Sequence, residues 1–139
     1  MSDNLHLNIE SMDEKHDEFL ALLSSIQACS PSEFMPLFEE MIAHTKEHFA
    51  FEEEIMNKLN FYGKQEHLDE HANLLGEMEY FYEKAKKIHA FGKSYINEYA
   101  YDKFKRHIIN IDSQLAMFLK DLGINNLFIK SISVDTTMK

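Results

Sequence analysis

Residues 34–59 read FMPLFEEMIAHTKEHFAFEEEIMNKL, and steps of four and three pick out one stripe: Phe34, Phe38, Met41, Thr45, His48, Glu52, Ile55 and Leu59. That spacing is the mark of a helix burying one face. The preceding Ser30-Pro31-Ser32-Glu33 supplies its start. Ser30 stands at a cap position, Pro31 sits where a missing N–H costs nothing, and Glu33 occupies the third position of a capping box. Pro36 falls within the first turns, where its ring has few preceding carbonyls to meet, so the helix is expected to run through it.

The same periodicity recurs on either side. Ile9, Met12, His16, Phe19, Leu23 and Ile26 predict a first helix over about Asp13 to Ala28. Asn60-Phe61-Tyr62-Gly63 reads as a turn, followed by a third helix from about Lys64 to Ile88 with the stripe His67, His71, Leu74, Met78, Phe81, Ala85 and Ile88. Gly92 reads as part of the next break. A fourth helix is expected from about Ser94 to Leu122, with Phe104, Ile108, Ile111, Leu115, Phe118 and Leu122 on one side and Gly123 ending it. Four amphipathic segments on short links predict an all-α, up-down-up-down antiparallel four-helix bundle. Its expected bounds are residues 1–122. Residues 123–139 form a short C-terminal extension for which a helix, an extended segment and a dimer contact all stay open.

Composition narrows the field. The chain has 139 residues, 45% of them hydrophobic, with 4 Gly and 2 Pro, which suits one packed domain rather than a linker or a disordered chain. Its 24 acidic and 14 basic residues leave a net charge of -10, a field that repels nucleic acid and anionic membrane surfaces. No run approaches 18 consecutive apolar residues, so no transmembrane helix is expected. The single Cys29 cannot form an internal disulfide, and the first nine residues lack a basic region and apolar core of the secretory type; a cytoplasmic location is expected.

The informative anomaly is polar. His16, His48, Glu52, His67 and His71 occupy core register on three helices, where ionisable groups are expensive unless paired or bound to metal. His48 and Glu52 are one turn apart, as are His67 and His71, so each pair shares a face. His107 and Asp112 flank the fourth stripe but stand about 140° apart on an ideal helix, and can join the others only through a broad face or a local distortion. Five imidazoles and two carboxylates exceed a four-coordinate zinc site, and calcium or magnesium would take more oxygen. Two transition metals fit, iron best for a redox task. If both carboxylates and one solvent-derived oxygen bridge the pair, three histidines complete one iron and two leave the other a ligand short. The open position would face apolar helix interiors, where a small neutral molecule can bind.

The combination of Met12-Asp13-Glu14-Lys15-His16, His48-Phe49-Ala50-Phe51-Glu52-Glu53, His67-Leu68-Asp69-Glu70-His71 and His107-Ile108-Ile109-Asn110-Ile111-Asp112 resembles the bacterial hemerythrins and hemerythrin-like domains over roughly residues 12 to 120. The four pieces look like that family's first-helix histidine, HxxxE, HxxxH and HxxxxD. The resemblance implies that His67, His71 and His107 hold the six-coordinate iron, His16 and His48 the other, with Glu52, Asp112 and an oxo or hydroxo group bridging two Fe2+/Fe3+ ions. It also implies reversible dioxygen binding for oxygen carriage, storage or delivery rather than catalysis. The alternative is a diiron sensor or a peroxide or nitric oxide detoxification protein. Two departures stand out: Lys103 where the family commonly has tryptophan, and His44 where many members have tyrosine.

The ligand pocket is expected to be lined by Phe19, Leu23, Thr45, Leu74, Met78 and Leu115. His44 reads as a partly buried histidine facing the end of the bundle. His6 and His89 read as surface or loop residues and Cys29 as an inert thiol; Glu53 and Glu54 read as solvated continuations of the acidic run, with the orienting of a ligand histidine as the alternative for either. Tyr62, Tyr80, Tyr82, Tyr95, Tyr99 and Tyr101 cluster around the third and fourth helices, where they, or the tail, offer a surface for self-association. A reductase is the other protein partner this reading allows.

Overall fold

The computed structural model describes residues 6–124. Helix α1 spans Glu10–Ala28, α2 Pro31–Leu59 and α3 Lys64–Lys87. The fourth rod is continuous but irregular: α4 (His89–Ser94), a π-helical turn π1 (Tyr95–Tyr99), α5 (Ala100–His107), a second π-helical turn π2 (Ile108–Asp112) and α6 (Ser113–Asp121). No strand occurs among the described residues, and the rods form the four-helix bundle expected from the stripes.

Local chemistry sets the ends. At the start of α2 the Ser30 N–H donates to Glu33 Oε1 at 3.2 Å, while the Glu33 N–H donates to the Ser30 carbonyl at 3.0 Å. Pro36 does not interrupt the helix. Helix α2 ends on Asn60 in the left-handed conformation (φ 54°), and the Phe61 N–H reaches back to the Met56 carbonyl. The fourth rod closes in the same manner on Gly123 (φ 80°): the Gly123 N–H bonds the Lys120 carbonyl and the Ile124 N–H that of Leu119, a Schellman arrangement.

Four boundaries or registers differ from expectation. Helix α1 begins three residues early, at Glu10, because the Asp13 carboxylate accepts the N–H groups of Leu7 and Asn8 and draws the incoming chain over the first turn. Gly92 is not in a break but buried within α4. A Cβ there would stand 2.5 Å from the Ala85 Cβ and 3.0 Å from the Phe34 ring, so its missing side chain lets α4 approach α3. On the fourth rod the buried set after π2 is Leu115, Ala116 and Leu119; Phe118 is half-buried and Leu122 exposed. On α3, Leu74 and Phe81 are half-buried, and Ile88, just past its end, is exposed.

Two apolar clusters fill the bundle. The larger contains Phe19, Leu23, Phe34, Phe38, Met41, Met78 and Phe104. The smaller contains Ile9, Met12, Ile55, Met56, Phe61, Leu115 and Leu119, from the end where α1 starts and α2 finishes. Tyr95 belongs to the larger core, stacked on Phe81 at 4.9 Å, and so is not a surface tyrosine, whereas Tyr62, Tyr80 and Tyr99 are exposed. No described helix is long and apolar enough to cross a membrane. Apart from its first two residues, the C-terminal extension lies outside the described residues.

Candidate metal centre

His16, His48, Glu52, His67, His71, His107 and Asp112 come together inside the bundle, none more than 2% exposed. Helix α1 contributes His16, α2 the His48/Glu52 pair, and α3 the His67/His71 pair, each from the face its spacing predicts. The fourth rod contributes two residues that an α-helix would splay apart. The turn π2 lies between them, where the Ser113 N–H reaches five residues back to the Ile108 carbonyl. That wider turn brings His107 and Asp112 onto one face, and the distortion anticipated from their spacing is present at that point.

The oxygens of each carboxylate point to different histidines. Glu52 Oε1 lies 3.1 Å from His67 Nε2 and 3.0 Å from His71 Nε2, while its Oε2 lies 2.8 Å from His48 Nε2. Asp112 Oδ1 lies 3.0 Å from both His67 Nε2 and His107 Nε2, while its Oδ2 lies 2.9 Å from His16 Nε2. Two overlapping donor groups result: His67, His71 and His107 with both carboxylates, and His16 and His48 with the same two carboxylates.

Hydrogen bonding alone does not account for this packing. Asp112 Oδ1 and His107 Nε2 are buried and lack a hydrogen-bond partner of proper alignment, although they are 3.0 Å apart. Two donors each about 2.1 Å from one metal and at right angles to each other sit about 3 Å apart, which is the separation found here. Lone pairs converging on a common point, in place of N–H groups aimed at oxygens, are what a metal requires. The donor set therefore fits a pair of transition-metal ions.

The electrostatics of the protein alone carry the same message. Burial works against the charged forms of Glu52 and Asp112, and each nevertheless sits well below the usual carboxylate range. His48 and His67 hold Glu52 down, and His107, His16 and His67 hold Asp112 down. Burial also opposes charge on His67 and His48, yet the adjoining Asp112 and Glu52 carboxylates raise His67 to about 9 and raise His48 as well. Without metal, protons take over the task of neutralising the carboxylates.

Around the centre the side chains are mainly apolar. The Phe104 ring stands edge-on to His16 (5.7 Å) and His48 (6.4 Å) and stacks on Phe19 at 3.9 Å. Phe49 stacks flat on His71 at 3.8 Å. Phe104 lies against the two-histidine group, Leu115 belongs to the apolar cluster at the end where α1 starts, and Leu74 borders an open cleft that also touches His107, with Lys103 and Arg106 at its edge. Thr45 is buried and spends its hydroxyl proton on the Met41 carbonyl. Lys103 turns outward to an ion pair with Glu77 at 3.0 Å, and His44 pairs with Glu18 on α1 at 3.0 Å.

Glu53 follows the alternative reading rather than the preferred one. Its carboxylate is not simply solvated but accepts a hydrogen bond from His71 Nδ1 at 3.0 Å. It lies one position beyond the buried stripe, so only the approach of α3 reveals the contact.

Comparison with known proteins agrees with the geometry. The family model described as the Hemerythrin HHE cation binding domain matches residues 7–119, a span that includes all seven clustered residues. No curated protein and no solved structure matches the chain. The chain belongs to the hemerythrin family, and its fold and buried histidine–carboxylate geometry are consistent with that family's diiron oxygen-binding site.

Proposed function

We propose that His67, His71 and His107 hold one iron, that His16 and His48 hold a second, and that Glu52 and Asp112 bridge them, so that the protein binds dioxygen reversibly for carriage, storage or delivery. One observation carries this reading: each carboxylate offers one oxygen to the three-histidine group and the other to the two-histidine group. A bridging pair needs that division, and the group with two histidines is one donor short of its neighbour. When bound, the iron pair supplies two electrons to dioxygen and takes them back on release.

The protein's part is to orient and to keep dry. Six of the seven donors come from regular helix, which holds them more rigidly than loops would. Phe104, backed by Phe19, covers the two-histidine side with hydrocarbon. Excluding water there slows proton delivery and loss of the bound ligand, which favours release over reaction.

The functional unit in this reading is residues 1–122, with 123–139 as an extension. Its location is cytoplasmic, its small-molecule partner is dioxygen, and its protein partners are a second copy through the exposed tyrosines or the tail, and a reductase. The test is iron content with ultraviolet–visible spectra under argon, in air and after azide addition. Two irons per chain, an azide-shifted spectrum and oxo-bridged bands that vanish under vacuum are expected. Sustained peroxide consumption with a reductant would replace the carrier reading with the detoxification one, and fewer than two irons would end both.

A further inference from the structure

His71 is gripped more closely than the other site histidines. Three residues of one stretch of α2 address its single imidazole from α3. Phe49 lies parallel to the ring, 3.8 Å away with 3° between the planes. Glu52 Oε1 stands 3.0 Å from Nε2, and Glu53 Oε2 stands 3.0 Å from Nδ1. By contrast, the Nδ1 atoms of His16, His67 and His107 are buried with no hydrogen-bond partner among the described residues. Glu53 itself is only partly covered, at the edge of a cleft lined by Lys46, Ala50, Leu68 and Leu75.

A carboxylate on Nδ1 fixes the tautomer that carries its proton there, turns the Nε2 lone pair inward and makes it a stronger donor. The parallel Phe49 ring removes the remaining rotation of the imidazole about its own axis. We propose that Glu53 is a positioning residue for His71, holding it in the metal-binding tautomer and making it the strongest histidine donor of the centre. The proposal rests on the diiron reading above. It also assigns an asymmetry that the donor count alone does not: the three-histidine group contains a histidine backed by a carboxylate, whereas the Nδ1 of His16 in the two-histidine group is buried with no partner.

The experiment compares the wild-type chain with E53Q, E53A and the neighbouring control E54Q. Each is stripped of metal and titrated anaerobically with cobalt(II), whose visible bands report both ligand field and stoichiometry. Iron-loaded samples of the same proteins give the reduction potential. Wild type and E54Q should bind two cobalt ions alike. E53A should bind one as wild type does and the other 10- to 100-fold more weakly. E53Q, which can still accept the Nδ1 proton but lacks the charge, should fall between them, with a higher iron reduction potential than wild type. Metal-free E53Q and E54Q should melt with wild type, and a lower melt of E53A alone reads the lost Nδ1 hydrogen bond. The proposal is overturned if E53A keeps both cobalt ions at wild-type affinity, if it weakens both equally, or if E53Q leaves the potential unchanged. A wild-type chain that binds fewer than two cobalt ions removes the diiron reading itself, and this proposal with it.

Discussion

His107 Nε2 lies 3.0 Å from Asp112 Oδ1 although the two residues are five apart on one rod, because the turn from Ile108 to Asp112 is wound as a π-helix. Such turns carry a poorer hydrogen-bond pattern than the α-helix and persist where function needs them. Here the turn delivers the second bridging carboxylate. D112N keeps the side-chain volume but loses the charge and one oxygen acceptor. It is expected to retain no more than one iron per chain and to lack the oxo-bridged bands. Its metal-free form should lose about 1–3 kcal/mol, because His16 and His67 then face an amide instead of a carboxylate. Iron analysis and a denaturant melt check both; a D112N chain with two irons and native bands would remove Asp112 from the centre.

Three of the four helices were legible because their stripes repeat at three and four and their ends carry local signals such as Ser30-Pro31-Ser32-Glu33. The fourth was legible only as a rod. Nothing in Ile108-Ile109-Asn110-Ile111 marks an i→i+5 turn, and only the need to bring His107 beside Asp112 hinted at a distortion. The extra residue that the turn absorbs also advances the register, which is why Leu119 takes the core place that unbroken periodicity assigns to Phe118 and Leu122. The choice of Glu53 over Glu54, and the place of Gly92, were illegible for a different reason. Each acquires its role from a neighbouring helix, His71 on α3 in one case and Ala85 on α3 in the other. The seven clustered residues stood out because ionisable groups in core register conflict with the bland purpose of a buried stripe.

Gly92 supplies a stability test that leaves the metal alone. In G92A the new Cβ would meet the Ala85 Cβ at 2.5 Å, and a methyl group cannot swing aside. Overpacking of this kind costs about 1–3 kcal/mol. The expected outcome is a lower melting temperature with iron content and azide response intact. Placing the A85G change beside it should recover part of the loss, as the opposing methyl is then gone.

Phe104 should separate ligand retention from metal retention. It is buried, meets both His16 and His48 edge-on and donates no ligand. F104A opens a hole beside the two-histidine group, costs about 3–5 kcal/mol and admits water. The variant is expected to keep two irons but to lose its oxygenated spectrum faster in air than wild type, while F104L, which refills most of the volume, stays near wild type. If F104A holds its oxygenated spectrum as long as wild type does, Phe104 is packing alone.

Metal removal should give the protein an alkaline weakness that the loaded form lacks. In the metal-free chain burial disfavours charge on His67, but Asp112 and Glu52 raise it to about 9, and His48 is raised as well. A folded value above the unfolded one of about 6.5 means stabilisation that is complete below that pH and lost as pH climbs through about 9. Glu52 and Asp112 act in the opposite sense. Their folded values are depressed, so their contribution is present above about pH 4.3 and fades as pH falls towards those values. The metal-free chain should therefore melt highest between about pH 4.3 and 6.5 and decline towards pH 9. With metal bound, the histidines serve as neutral ligands, and raising the pH removes no proton from them. Calorimetric melts of both forms at pH 5.5, 7 and 9 test this: the metal-free curve should fall over that range while the loaded one stays level, and parallel declines would mean that protons, not metals, neutralise the buried carboxylates in both.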